Sequence, residues 1–220
     1  MDTSKNVRIT DELYTYILDH STPPDPVQAE LIERTHRSFA GPSGMQIPPE
    51  QGTFLSILTA VVAPRFAVEV GTFTGYSSLA IARALPEGGK LLCCDVSEEW
   101  TSVAREAWEK AGVADRIDLR IAPAIETLNA LPSHPHIDLA FVDADKDGYI
   151  GYWEALIPRM TPGGLVLADN VLFSGQVVDP AATGAPAAIR RFNEHVRKDP
   201  RVEAVILPVA DGLTVARVKG

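Results

Sequence analysis

The chain has 220 residues, of which 45% are apolar, enough for a single α/β domain with a substantial core. Asp and Glu outnumber Lys and Arg by 29 to 20, a formal charge of −9, so no nucleic-acid partner is expected, because phosphate binding needs a basic surface. Residues 1–6 lack the apolar core of a signal peptide, no apolar run is long enough to span a membrane, and Cys93 and Cys94 are expected as buried, reduced thiols. These features predict a cytoplasmic protein without membrane contact.

Three helices are predicted before the first strand. One begins at Thr10-Asp11-Glu12, and a second begins at Asp25-Pro26, where aspartate caps the helix and proline occupies its first position. A third helix follows Pro48-Pro49 and runs to Val62. The first two helices form an N-terminal segment of residues 1–40, and residues 41–220 form the core of the same domain.

Strands and helices then alternate to the end of the sequence. The strands are predicted at Phe66–Val70, Lys90–Cys94, Ile117–Ile121, Ile137–Val142, Leu165–Ala168, Val202–Leu207 and Leu213–Val218. The helices are predicted at Tyr76–Leu85, Glu98–Ala111, Ala124–Leu131, Tyr149–Arg159 and Pro186–Lys198. This alternation predicts a mostly parallel seven-stranded sheet with helices on both faces, and Asp211-Gly212 indicates a closing antiparallel hairpin.

The stretch from Glu69 to Ser77 joins the first strand to its helix through two glycines, Gly71 and Gly75. A dinucleotide-binding turn has the pattern G-x-G-x-x-G, which is absent here. An acid beside a glycine turn suits a nucleoside that carries positive charge, and S-adenosylmethionine has an ammonium and a sulfonium group. The turn therefore favours S-adenosylmethionine as the cofactor.

Four of the first five strands end at or near an acid, and in open α/β sheets ligands bind beyond these ends. Asp95 is placed to bind ribose hydroxyls, although it could instead cap the following helix. Asp143, Asp169 and Asn170 offer only oxygen ligands, which favour Mg²⁺, with Mn²⁺ or Ca²⁺ as alternatives. The same acids could merely cap their loops. Lys146 could reach over this site as a general base, or could be a solvated loop lysine.

Several motifs in order resemble the cation-dependent class I S-adenosylmethionine O-methyltransferases of the caffeoyl-CoA and catechol type. They include Met45 with Glu50-Gln-Gly52, the Glu69–Ser77 turn, Lys110-Ala-Gly-Val113, Phe141-Val-Asp-Ala-Asp-Lys146, Asp169-Asn170, Asp199-Pro-Arg-Val-Glu203 and Leu207-Pro-Val-Ala-Asp-Gly212. The resemblance covers residues 40–220. It implies a Rossmann-like methyltransferase fold, transfer of a methyl group to a catechol-like small-molecule acceptor, and a homodimer.

The resemblance also implies a role for individual residues. Those assigned to the cofactor are Met45, Ile47, Glu69, Gly71, Thr72, Ser77, Asp95, Val96, Ala124, Asp143 and Asp145. Asp143, Asp169 and Asn170 are assigned to the divalent cation, and Lys146 to proton removal. Lys146, Asn170, Phe173 and Ser174 are assigned to the acceptor.

The sequence departs from the plant enzymes after the metal pair, where Phe173 and Ser174 replace tryptophan and asparagine. The asparagine belongs to substrate recognition, so the resemblance does not carry a CoA-thioester acceptor. Residues 1–40 match less clearly; in the family they help to shape the acceptor pocket. Two alternatives are a nicotinamide dehydrogenase, for which the glycine pattern and a Tyr-x-x-x-Lys pair are missing, and a non-catalytic nucleoside-binding module.

Overall fold

The computed structural model describes residues 7–220, so the expectation about a signal peptide in residues 1–6 lies outside the described residues. Three helices precede the sheet: α1 (Asp11–Asp19), α2 (Pro26–Ser38) and α3 (Pro49–Val62). The α2 cap forms as predicted, because the Asp25 side chain accepts from the backbone N–H groups of Val27 and Gln28. The three helices begin where the sequence predicted them.

A single sheet of seven strands organises the rest of the described chain. The strands are β1 (Phe66–Val70), β2 (Lys90–Asp95), β3 (Ile117–Ile121), β4 (Ile137–Val142), β5 (Met160–Ala168), β6 (Val202–Leu207) and β7 (Leu213–Val218). Their order across the sheet is β3-β2-β1-β4-β5-β7-β6. Pairs among β1–β5 are parallel, whereas β7 runs antiparallel to both β5 and β6. The C-terminal hairpin is therefore confirmed, with β7 inside the sheet and β6 at its edge.

Helices cover both faces of the sheet. The remaining helices are α4 (Tyr76–Ala84), α5 (Glu98–Lys110), α6 (Ala124–Ala130), α7 (Tyr149–Leu156) and α8 (Ala185–Lys198). Successive strand residues point to opposite faces, so Val68 packs with the core under α6, α7 and α8, while Ala67 packs with the core under α2–α5. Such two-sided burial explains the nearly continuous apolar strands and confirms the predicted fold.

The largest boundary difference lies between α7 and β5. The helix ends at Leu156 and continues as a 3₁₀ turn over Ile157–Arg159, and β5 begins at Met160 where the sequence predicted Leu165. Pro162 and Gly163 resemble a turn, yet Met160 pairs with Ile137 across a register shift in β4. Pairing with a neighbouring strand has here overridden local preference. Within residues 7–220, no helix is both long and apolar enough to cross a bilayer.

Candidate active site

A cleft of about 820 Å³ opens at the carboxyl ends of β1, β2, β4 and β5. Its walls contain most of the residues predicted for the site, namely Met45, Ile47, Gly71, Thr72, Ser77, Asp95, Val96, Ala124, Asp143, Asp145, Lys146, Asp169, Asn170 and Phe173. Two predicted residues do not line it: Glu69 is fully buried in β1, and Ser174 is exposed on the loop beyond Phe173. The acceptor role predicted for Ser174 therefore has no direct contact with the cleft to support it.

Gly71 brings the loops after β1 and β4 into contact. Its backbone has φ +90°, and a Cβ built there would lie 1.9 Å from the carbonyl oxygen of Asp143. An L-residue with a side chain could satisfy neither the backbone angle nor this spacing. The glycine therefore sets the approach between the turn of β1 and the acids that follow β4.

Asp95 braces the glycine turn from the end of β2. One carboxylate oxygen accepts from the backbone N–H groups of Thr72 and Phe73 at 2.9 and 2.8 Å, and the other accepts from the Ser97 N–H at 2.8 Å. The cap of α5 is the Ser97 side chain, which accepts from the Trp100 N–H. Asp95 thus holds the turn in shape while its side chain still borders the cleft, so a ribose contact remains open to it.

Glu69 lies below the cleft with no exposed surface. Burial raises the pKa of its carboxyl to about 8, and the neighbouring Ser77, Thr72 and Cys93 side chains oppose the rise only in part. Its Oε1 atom has no hydrogen-bond partner among the described residues. A cationic ligand above this carboxyl would therefore supply both a missing donor and a compensating charge.

Lys146 connects the acids of the site. Its ammonium nitrogen donates to Asp143 Oδ1 at 3.0 Å, to Asn170 Oδ1 at 2.7 Å and to the Tyr149 hydroxyl at 2.7 Å, and its side chain is only 14% exposed. Three acceptors use all three protons of an ammonium group. The alternative of a solvated loop lysine does not describe this residue, because Lys146 is a half-buried cation held between two proposed metal ligands.

The proposed metal ligands make a donor set that fits a hard divalent cation. A single ammonium nitrogen touches oxygens of both Asp143 and Asn170, so these oxygens already surround a positive charge. Burial and the nearby charge of Asp143 raise the pKa of Asp169 to about 7. Two adjacent carboxylates and an amide oxygen suit Mg²⁺ or Mn²⁺, and a cation would relieve the repulsion between the acids.

Some side chains at or near the cleft were not predicted as site residues. The fully buried Gln51, in the first turn of α3, lies beside Asp169. The Tyr152 hydroxyl donates to Asp145 Oδ1 at 2.5 Å, and the buried Tyr149 hydroxyl donates to the carbonyl of Asp169 at 3.0 Å. Both tyrosines pack against the sheet from α7, and their hydroxyls reach Asp145 and Asp169.

Buried polar atoms without partners concentrate at this cleft. Within residues 7–220 there are eight such side-chain atoms, and five belong to residues that line or underlie it: Gln46 Oε1, Gln51 Nε2 and Oε1, Glu69 Oε1 and Thr72 Oγ1. Buried polar groups in folded proteins nearly always have partners. These atoms include donors and acceptors, which matches a ligand with both ammonium and carboxylate groups.

A second group of potential metal ligands lies away from the cleft. Ligand atoms of Glu154, His195 and Asp199 all lie within 4.8 Å of one another. Arg201 already binds Glu154 at 2.7 Å and Asp199 at 2.6 Å, and the Trp153 indole N–H donates to Asp199. With these partners the group is a surface ion-pair network between α7, α8 and the start of β6.

Comparison with known proteins points to one family. A sequence model of the O-methyltransferase family matches residues 18–219. A caffeoyl-CoA O-methyltransferase of Eucalyptus globulus is 38% identical, over 97% of this chain and 91% of the relative. Among solved structures, the O-methyltransferase TomG of Streptomyces achromogenes, in complex with SAM, has a TM-score of 0.84 at 29% identity, covering 95% of this chain and 96% of TomG.

A second solved structure leads to the same family. The O-methyltransferase of Bacillus cereus, in complex with SAH, has a TM-score of 0.84 at 30% identity, over 93% of this chain and 96% of that one. The family match includes α2, α3, the glycine turn and the acids of the cleft. The chain therefore belongs to the O-methyltransferase family, as its motifs predicted, and to the methyltransferase class of enzymes.

Proposed function

We propose that this protein transfers the methyl group of S-adenosylmethionine to one hydroxyl of a catechol-like phenol, with a divalent cation held by Asp143, Asp169 and Asn170. The observation that carries the proposal is the contact of Lys146 with both Asp143 and Asn170 at the rim of a cleft bordered by acids. The family assignment favours methyl transfer over the dehydrogenase and non-catalytic alternatives.

The cofactor is proposed to lie along the carboxyl ends of β1, β2 and β4. Its methionine end fits the unpaired atoms of Gln51, Glu69 and Thr72, with the ammonium facing the buried carboxyl of Glu69. Asp95 is expected at the ribose and Ala124 at the adenine. Complexes of the related TomG and Bacillus cereus enzymes with SAM and SAH support the choice of cofactor.

The acceptor is proposed to enter beside Lys146, Asn170 and Phe173. When bound, the cation would supply Lewis acidity that lowers the pKa of an acceptor hydroxyl from about 10 toward neutrality. Lys146 takes the hydroxyl proton at Nζ as a neutral amine, so its ammonium group must first release one of its three protons to solvent. Holding the phenolate in line with the methyl group contributes through positioning, an effect that can reach about 7–11 kcal/mol.

Assembly and location are part of the same proposal. Leu31 on α2 is buried inside the chain, whereas Ile57 and Val61 on α3 are 56% and 76% exposed. A homodimer that covers this face of α3 is proposed. A cytoplasmic location fits the two buried, free thiols of Cys93 and Cys94.

The test of the proposed function is turnover of catechols with S-adenosylmethionine before and after metal removal. Treatment with EDTA should abolish methylation, and Mg²⁺ or Mn²⁺ should restore it. Full activity in metal-free enzyme would contradict the metal assignment, and no turnover with any vicinal diphenol would contradict the acceptor class.

A further inference from the structure

The turn between β6 and β7 lies against the loop that follows β5. Because β7 pairs with β5, with Thr214 opposite Ala168, the residues before β7 sit beside those after β5. The backbone N–H groups of Val171 and Leu172 donate to the carbonyls of Gly212 and Asp211 at 3.0 and 2.9 Å. The carboxylate of Asp211 adds a third bond, since its Oδ1 accepts from the Ser174 N–H at 2.6 Å.

The loop held in this way has an uncommon backbone. Asn170, Phe173 and Ser174 have φ values of 55°, 46° and 51°, in the left-handed region that residues with side chains rarely adopt. Such conformations persist only where the surroundings hold them. The packing is also close, because a Cβ at Gly212 would lie 2.4 Å from Leu172 Cγ. The hairpin turn and the loop therefore form one fitted unit.

The same loop carries two residues of the cleft. Asn170 and Phe173 line the cleft, as does Asp211, while Ser174 does not. The hydrogen bond from the Ser174 N–H to Asp211 Oδ1 follows directly after Phe173 and holds the C-terminal end of the segment with left-handed residues. Without it, the left-handed residues would be free to relax, and Asn170 and Phe173 would move with them.

We propose that Asp211 is a positioning residue for the acceptor: its carboxylate holds the Ser174 N–H and thereby fixes Asn170 and Phe173 against the cleft. The effect on catalysis rests on the proposed function, whereas the effect on the loop does not. The cofactor residues Gly71, Ser77 and Asp95 follow other strands, so Asp211 should act on the acceptor and not on the cofactor.

The test compares Asp211→Ala with Asp211→Asn, which keeps an oxygen at the Oδ1 position. In D211A the KM for a catechol should rise about 10- to 100-fold, in line with the cost of small misplacements of reacting groups. The affinity of D211A for S-adenosylhomocysteine, measured by calorimetry, should stay within about 2-fold of the wild-type affinity, which corresponds to no measurable change. In D211N the KM for the same catechol should return close to the wild-type value.

A matched control is Asp179→Ala. Asp179 Oδ1 accepts from the backbone N–H of Ala181 at 2.9 Å, a bond of the same kind in the same long connection, but Asp179 does not line the cleft. D179A should leave the KM for the acceptor unchanged. An equal rise in D179A and D211A, or no rise in D211A, would overturn the proposal.

Hydrogen exchange supplies a readout that needs neither catalysis nor metal. In the wild-type protein the amide of Ser174, although on an exposed loop, should be protected, and D211A but not D211N should remove that protection. A Ser174 amide that exchanges as fast as free loop amides in wild type would overturn the proposal, even if D211A did not fold. If no catechol is methylated, the proposed function fails while exchange still decides whether Asp211 holds the loop.

Discussion

Substitution of Glu69 by glutamine should change how the stability of the free protein depends on pH. The folded protein keeps a proton on Glu69 up to a pKa of about 8, because the carboxyl is buried, whereas the unfolded chain loses it near 4.5. Unfolding therefore releases a proton between these values, and stability falls as the pH rises through this window. Glutamine has nearly the same shape and no proton to lose.

The size of the effect follows from the shift itself. Each unit of pKa shift is about 1.4 kcal/mol, so the whole window corresponds to about 5 kcal/mol. Between pH 5 and pH 7.5 the free energy of unfolding of wild type should fall by about 3 kcal/mol more than that of E69Q. Asp169 adds to the slope in both proteins, and the comparison removes its contribution.

Urea unfolding of ligand-free protein in EDTA, at half-unit pH steps, measures this difference. Glu99→Gln, which alters an exposed acid at the start of α5, is the control and should leave the slope of wild type unchanged. Saturating S-adenosylhomocysteine should reduce the difference, because its ammonium favours the ionised carboxyl. Parallel curves for wild type and E69Q over this range would mean that Glu69 is ionised in the free protein, and the reasoning would be refuted.

Three further outcomes are expected. Lys146→Ala should lower kcat by about 10²–10⁴-fold, with a smaller loss on nitrocatechols, which arrive ionised; equal losses on both would make Lys146 a positioning residue. Gln51→Leu should raise the melting temperature of the free protein by about 2–4 °C, because it removes a buried unpaired amide. The same variant should gain less in melting temperature than wild type when S-adenosylhomocysteine binds. A lower melting temperature for the free variant would contradict the prediction. Light scattering should give twice the chain mass of 23.7 kDa, and Val61→Glu should halve it; a single-chain mass for wild type would contradict the dimer.

Much of the fold follows from local pattern. The starts of α2 and α5 follow from Asp25-Pro26 and Ser97, and the strands β1–β4 follow from short apolar runs between turn residues. The early start of β5 could not be predicted, because it depends on pairing with β4 and not on the residues of β5.

The candidate site divides in the same way. Acids at the ends of neighbouring strands had to meet at one edge of the sheet, so Asp143, Asp145 and Asp169 could be predicted. The complete burial of Glu69 and the three hydrogen bonds of Lys146 depend on side-chain packing, which cannot be inferred from the spacing of residues in the sequence. Gln51 and Asp211 reach the cleft from distant parts of the chain, and the motifs that contain them did not indicate a contact with the cleft.

The place of β7 inside the sheet has a consequence for synthesis on the ribosome. Residues 160–168 of β5 are made before residues 213–218 of β7, and α8 and β6 lie between them. At about 5–20 residues per second, several seconds pass before β7 can pair. During that interval the apolar edge of β5, with Val166 and Leu167 at its centre, has no neighbour on that side and is open to pairing with other chains. The length of the connection through α8 thus sets how long each nascent chain is exposed to aggregation.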